Sequence, residues 1–366
     1  MRIFLDQRSY SFEQVKKGEF EIESLSKYGK QTLQFCHQWL NDQPTFTIHT
    51  SGSTGTPKPI QLQRVQMQKS AQMTAHFLGL QEGMTALCNL NTAYIAGIMM
   101  LVRAMEVGME ITVQPPSSNP FADMPIPQSF DFIALVPLQV EEILKGEDSR
   151  SYLCDSRNII IGGAPVSYSL SLLIQQHCQQ NKVYATYGMT ETVSHIALKK
   201  LNTTEETLFN TLPGVEIGID QRGCLWIKTP TSSEPLLQTN DLVQLHGESS
   251  FEWLGRADNV INTGGVKVQA EKVEQVIAQK MQELGEERPS CVIGVPDEKY
   301  GEKIVLFIEG EDLSKVQLTV LKEQIQAGLG KYEQPKEIRV VKDFPRTPTQ
   351  KINRHELKEQ YRKGLC

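Results

Sequence analysis

The densest run of chemistry-bearing side chains is Thr50-Ser-Gly-Ser-Thr-Gly-Thr-Pro-Lys58, entered directly from the apolar stretch Phe46-Thr-Ile48. Gly52 and Gly55 tolerate φ > 0, so the backbone can turn its N–H groups toward a ligand. The hydroxyls of Thr50, Ser51, Ser53, Thr54 and Thr56 suit phosphate oxygens, and Lys58 adds a positive charge. A plain flexible turn is the competing reading. It accounts for the glycines but not for so many hydroxyls closed by a lysine. The pattern is not a Walker loop, which needs G-x-x-x-x-G-K-[ST]; here Thr56-Pro57 separates Gly55 from Lys58.

Further segments follow in order. They are Gly162-Gly163-Ala164-Pro165, Tyr187-Gly188-Met189-Thr190-Glu191-Thr192, Thr239-Asn-Asp241, Gly255-Arg256-Ala-Asp258, Asn262-Thr-Gly264-Gly265-Val-Lys-Val268 and Pro345-Arg-Thr-Pro-Thr-Gln-Lys351-Ile352. An aromatic face such as that of Tyr187 suits a purine, and a hard carboxylate oxygen such as that of Glu191 suits Mg²⁺. Singly, each has a dull alternative. A lysine near a C-terminus is usually solvated, and an aspartate in a turn is usually a cap.

In this order the segments resemble the adenylate-forming superfamily of acyl-CoA synthetases, peptide-synthetase adenylation domains and luciferases, over nearly the whole chain. The resemblance implies ATP, Mg²⁺ and coenzyme A as ligands. It implies a phosphate loop at Thr50–Lys58 and an adenine backing at Gly163, Ala164 and Pro165. Tyr187 and Gly188 would lie beside the base, Thr190 at the nucleotide phosphate and Glu191 at the metal. Asp241 and Arg256 would hold the ribose, Asp258 would be the hinge, and Gly264-Gly265 would face the pantetheine arm. Lys351 would reach the forming acyl phosphate. Two departures stand out. Gln350 replaces the family's glycine before the lysine, and only about fifty residues precede the phosphate loop, where typical members carry a longer flanking subdomain.

Within the superfamily the closest resemblance is to o-succinylbenzoate–CoA ligases of menaquinone (vitamin K2) biosynthesis. Tyr94-Ile-Ala-Gly97 stands where relatives have H-x-x-G, and Arg103 resembles an arginine used near the doubly anionic acid. Ser194 resembles a substrate-side serine, with His195 beside it. Arg103 as a surface arginine and Ser194 as a helix cap remain open readings. So do a ligase for another aryl or fatty acid, an adenylation enzyme loading a carrier protein, and a non-catalytic nucleotide-binding module.

These residues need a frame. Thr45–Thr50, Met84–Leu90, Glu110–Val113, Phe132–Val136, Asn158–Ile161 and Lys182–Thr186 read as strands, alternating with helical spacing over Val65–Leu80, Ile95–Val107, Pro137–Leu144 and Tyr168–Gln179. The alternation predicts an α/β fold with a mostly parallel, helix-flanked sheet and ligand loops at the strands' carboxyl ends. A β-rich segment follows Gly214, with short strands expected at Val215–Ile219, Cys224–Thr229, Leu242–Leu245 and Phe251–Gly255. Beyond Asp258 the pattern becomes a small α+β unit, which the resemblance makes mobile. We expect a large domain over 1–257 and a small one over 258–366.

The bulk composition narrows the partners. A formal charge of −6 over 366 residues argues against a general nucleic-acid or membrane-surface role. The longest apolar stretch, Ile95 to Val102, is too short to span a bilayer. Seven scattered cysteines without a C-x-x-C pair fit a reducing, cytoplasmic setting and signal neither zinc nor a disulfide framework. The expected partners are small molecules, with a homodimer left open.

Overall fold

Phe132–Leu135 and Asn158–Ile161 are buried at every position, as strands covered on both faces must be. The structure is a computed structural model that describes residues 1–49, 59–203, 205, 208–286, 288–347 and 352–365. Six strands run parallel side by side, in the order Arg2–Leu5, Glu110–Val113, Thr85–Cys88, Phe132–Leu135, Asn158–Ile161 and Lys182–Gly188. Successive side chains leave opposite faces. Ala86, Cys88, Phe132, Ala134 and Ile160 join one core with the helices Lys27–Leu40, Arg64–Leu78 and Ile95–Val107. Leu87, Ile133, Leu135, Ile159, Ile161 and Val183 join the other, beneath Pro137–Lys145, Glu147–Cys154 and Tyr168–His177.

The β-rich segment continues this sheet. From Lys182–Gly188 the pairing turns antiparallel through His195–Lys200, Phe209–Thr211, Ser250–Arg256, Leu237–Leu245, Cys224–Lys228 and Glu216–Ile219. With Arg8–Ser11 at the far edge, the sheet has thirteen strands. One expectation is corrected. The strand at Thr45–His49 is not in the parallel sheet but pairs antiparallel with Pro59–Gln63 in a separate two-stranded ribbon. Its last pair, His49 with Pro59, brackets residues 50–58.

Helix Ile95–Val107 is buried without a break from Gly97 to Ala104, because it lies between the sheet and two other helices. At Gly97 a Cβ would stand 2.5 Å from the Asn91 carbonyl oxygen and 2.7 Å from its carbon. Both atoms are backbone and cannot swing away. Gly97→Ala is therefore expected to cost about 1–3 kcal/mol as overpacking, read as a lowered urea midpoint with an unchanged slope.

A five-stranded sheet forms the C-terminal unit, from Val260–Thr263, Val266–Gln269, Ser290–Asp297, Gly301–Glu309 and Glu337–Val341. Helices Ala270–Glu283 and Lys315–Gly328 cover one face through Val273, Ile277, Leu321 and Ile325. Helix Arg354–Arg362 covers the other through Leu357. The large sheet ends at Arg256 and the small one begins at Val260, with the single 3-10 turn Ala257–Asn259 between them.

Candidate active site

Strand Lys182–Gly188 runs two residues further than its apolar pattern suggests, so Tyr187 and Gly188 are strand residues. The Tyr187 ring lies against Phe209 and Phe251, with centroids 5.8 and 5.1 Å away. Its hydroxyl donates to Asp241 Oδ2 at 2.7 Å. Burial, then the neighbouring Asp241 charge, pushes the Tyr187 phenol well above its usual range, so it stays a donor. The turn-cap reading of Asp241 falls. Asp241 sits within strand Leu237–Leu245, paired in register with Arg256, rather than in a turn. Its N–H donates to Thr239 Oγ1 at 3.0 Å, Trp253 Nε1 donates to its Oδ1 at 3.3 Å, and Arg256 Nη1 stands 3.6 Å from the same oxygen. Arg256 also donates to Asp258 Oδ2 at 2.7 Å. Burial alone would lower the Arg256 guanidinium, but the bond to Asp258 and the charge of Asp241 outweigh it and raise it.

Past Gly188 the chain makes a 3-10 turn, Thr190–Thr192, which leaves Glu191 exposed and Thr192 buried. Met189 N–H donates to Thr192 Oγ1 at 3.1 Å, which fixes the turn. Val193 then adopts φ +64°, ψ −52°, and Ser194 N–H donates to the Thr192 carbonyl at 2.7 Å. This is the strained, positive-φ γ-turn, and a β-branched residue there is a true outlier. The turn folds Ser194 and His195 back over Gly188, where a Cβ would meet His195 Cα at 2.4 Å. Only glycine allows that approach.

Arg103 and Ser194 meet. Arg103 is 2% exposed, and its Nη2 donates to Ser194 Oγ at 2.7 Å. The surface-arginine reading therefore falls. So does the helix-cap reading of Ser194, which precedes strand His195–Lys200. Arg103 Nε is buried with no hydrogen-bond partner among the described residues. Burial lowers the guanidinium to about 10, still charged at neutral pH. His195 is buried, and its Nδ1 is 3.3 Å from Ser194 Oγ and its Nε2 3.1 Å from Thr74 Oγ1. Burial, then the Arg103 charge, holds its pKa well below the usual value. Sequence reasoning left Thr74 out, since nothing local ties it to a histidine 121 positions away.

Other expected residues lie apart from this cluster or beyond view. Tyr94 is exposed at the N-cap of helix Ile95–Val107. A rise of about 1.5 Å per residue places it ~13 Å from Arg103 along the axis. Gly163, Ala164 and Pro165 are exposed on the loop after Asn158–Ile161. Gly264 and Gly265, at φ +58° and +80°, form the two-residue turn between Val260–Thr263 and Val266–Gln269. The loop 50–58 and Lys351 lie outside the described residues. No group of metal-ligating residues and no helix long and apolar enough to cross a membrane occurs among the described ones.

Residues 5–229 match the AMP-binding enzyme family, and residues 288–351 match the AMP-binding enzyme C-terminal domain. A solved acyl-CoA synthetase (AMP-forming)/AMP-acid ligase II-like protein from Dyadobacter fermentans is 42% identical, over 92% of this chain and 95% of that one, with a TM-score of 0.62. A 2-succinylbenzoate–CoA ligase from Listeria monocytogenes is 28% identical, over 88% of this chain and 71% of that protein. The Bacillus subtilis o-succinylbenzoate CoA synthetase, solved with its acyl-adenylate intermediate, shares the fold at a TM-score of 0.70, with 23% identity over 85% of this chain and 68% of that one.

Proposed function

The chain belongs to the AMP-binding enzyme family, and on that premise we propose that it is an ATP-dependent carboxylate–CoA ligase whose acid is o-succinylbenzoate. The observation that carries the choice of acid is the buried Arg103, held on Ser194 with its Nε unpartnered. A dicarboxylate activated at one end must have its other end neutralised, because burying it unpaired costs several kcal/mol. A guanidinium with donors to spare meets that need. A fatty-acid tunnel has no use for a buried cation, so the fatty-acid reading is disfavoured.

In the first half-reaction an oxygen of the activated carboxylate bonds to the α-phosphorus of ATP, and the bond to pyrophosphate breaks. The Tyr187 ring, backed by Phe209 and the buried Phe251, offers the adenine a face, and Asp241 offers the ribose hydroxyls an acceptor pre-set by Thr239 and Trp253. Mg²⁺ supplies charge neutralisation at the phosphates when bound. The exposed Glu191, next to Thr190, fits it, since Mg²⁺ in nucleotide sites commonly takes one or two carboxylates plus phosphate oxygens. Lys351 offsets charge as the acyl phosphate forms. In the second half-reaction the CoA sulfur, having lost its proton, bonds to the acyl carbon and AMP leaves. Positioning and electrostatics carry both steps, with no protein nucleophile.

Pyrophosphate release with ATP and Mg²⁺ over a panel of acids tests the reading. We expect o-succinylbenzoate to exceed benzoate and octanoate by more than ten-fold in kcat/KM, with CoA as thiol acceptor. Equal turnover of the three acids removes the acid assignment. Thioester formed only on a phosphopantetheinyl carrier protein replaces CoA as the acceptor.

We further propose the domain division at 257/258, with Asp258 as the pivot. Asp258 is the middle residue of the lone turn between the two sheets, held by Arg256 and Asn240. Proline fixes φ near −65°, so Asp258→Pro should slow thioester formation at least ten-fold more than adenylation. A folded variant with normal thioester formation would move the pivot elsewhere.

A further inference from the structure

We propose that His195 is a positioning residue for the acid: a neutral imidazole protonated at Nε2 whose Nδ1 accepts a hydrogen bond from the Ser194 hydroxyl, so that Ser194 Oγ is left as an acceptor to hold Arg103. The inference rests on the acid-site reading above and adds to it a fixed direction for every proton in the cluster.

The direction follows from one end of the chain of bonds. Thr74 has a single hydroxyl proton, and its Oγ1 lies 3.0 Å from the Ser70 carbonyl, which can only accept. With that proton committed, Thr74 Oγ1 must accept at its contact with His195 Nε2, 3.1 Å away, so Nε2 carries a hydrogen. The neutral ring then has a bare Nδ1, which accepts from Ser194 across 3.3 Å. Ser194 has thereby committed its only hydroxyl proton to that hydrogen bond. Its Oγ meets Arg103 Nη2 as an acceptor, at 2.7 Å. Four bonds run one way, from the cation on helix Ile95–Val107, through Ser194 and His195, to a carbonyl within helix Arg64–Leu78. Bonds aligned in this sense polarise one another.

Two consequences follow. Ser194 has no proton to give the substrate, so recognition falls to the spare donors of Arg103, including the unpartnered Nε. The ring must also stay neutral. A second proton at Nδ1 would remove the acceptor for Ser194 and set a second cation beside Arg103. The strained turn at Val193 and the bare Cα of Gly188 serve this arrangement, since they bring Ser194 and His195 over the strand end.

The test uses the full chain with His195→Phe, which keeps a flat ring but no hydrogen bond, and His195→Asn, whose side-chain oxygen can replace Nδ1. The ¹⁵N shifts of the wild-type imidazoles, with His195 assigned by its loss in the Asn variant, should show the Nε2–H tautomer at pH 7. The Nδ1–H tautomer or an imidazolium overturns the proposal, whatever the substrate. In kinetics His195→Phe should raise KM for o-succinylbenzoate about ten-fold, the loss of the one hydrogen bond that orients Ser194. KM for ATP should stay within about two-fold, and His195→Asn should recover most of the loss. Equal changes in both constants, or no rescue, would make His195 merely structural. Arg103→Leu separates the two readings. A raised KM there beside an unchanged one in His195→Phe removes the positioning role alone, whereas unchanged values in both remove the acid site as well. Should the Phe variant fail to fold, the tautomer and the Asn variant decide.

Discussion

Lys351→Ala is expected to slow acyl-adenylate formation by about 10²–10³-fold, the usual cost of deleting one charge-stabilising donor from a transition state. Thiolysis of supplied acyl-AMP should be largely spared. Lys351 itself lies outside the described residues, but its flanks are fixed. Arg346 and Ile352 form an isolated antiparallel bridge, and Asn353 N–H donates to the Pro345 carbonyl at 2.7 Å. Arg346 Nη2 also pairs with Glu309 at 2.6 Å, which ties the segment to strand Gly301–Glu309. A lysine between these flanks travels with the small sheet. If that unit turns about Asp258 between half-reactions, the lysine is withdrawn before the thiol attacks, and its loss costs the second step little. Pyrophosphate exchange reports the first step, and CoA consumption with synthetic acyl-AMP reports the second. Equal losses in both would show that the lysine is misassigned. Gln350 bears on this test, because a residue with a Cβ stands where relatives have glycine.

The parts of the fold legible in the sequence are those where one force dominates. Strands buried on both faces write continuous apolar runs, and Phe132–Leu135, Asn158–Ile161 and helix Ile95–Val107 were readable for that reason. Where partners decide, the sequence is quiet. Thr45–His49 looks like any other strand, and its antiparallel mate opens on Pro59, a residue that usually ends a strand reading. Thr239-Asn-Asp241 has low strand propensity, yet it lies within a nine-residue strand because the register with Ser250–Arg256 holds it there. The helix Lys27–Leu40 did carry a signal, in its Ser26 cap and the inward spacing of Leu33, Cys36 and Trp39. The motifs proposed to carry the chemistry stand out in the sequence because each is contiguous. The resemblance points to Arg103, Ser194 and, beside it, His195, but not to Thr74 or to the bonds that link the four, because they come from two helices and a strand end and only the fold brings them together.

Arg103→Leu should then raise KM for o-succinylbenzoate by about 10²–10³-fold, since breaking a buried ion pair by removing one partner costs about 3–5 kcal/mol. KM for ATP should hardly move, because Arg103 belongs to neither Tyr187 nor Asp241 and their partners. The fold should survive the change. In the free protein Arg103 is a desolvated cation with an unpartnered Nε, and an apolar side chain replaces it with little or no loss of stability. Ser194, half-buried, can turn to water for what it loses. Acids without a second carboxylate should gain relative to o-succinylbenzoate, since the pocket no longer holds an unmatched cation. Arg103→Lys discriminates further. It keeps the charge but not the planar fork, and an ammonium can hold Ser194 or the carboxylate but not both with fixed geometry. It should fall between wild type and the leucine variant. If both variants leave the two KM values where they were while melting at lower temperature, Arg103 serves packing alone, and the acid bound here is not one that needs a cation.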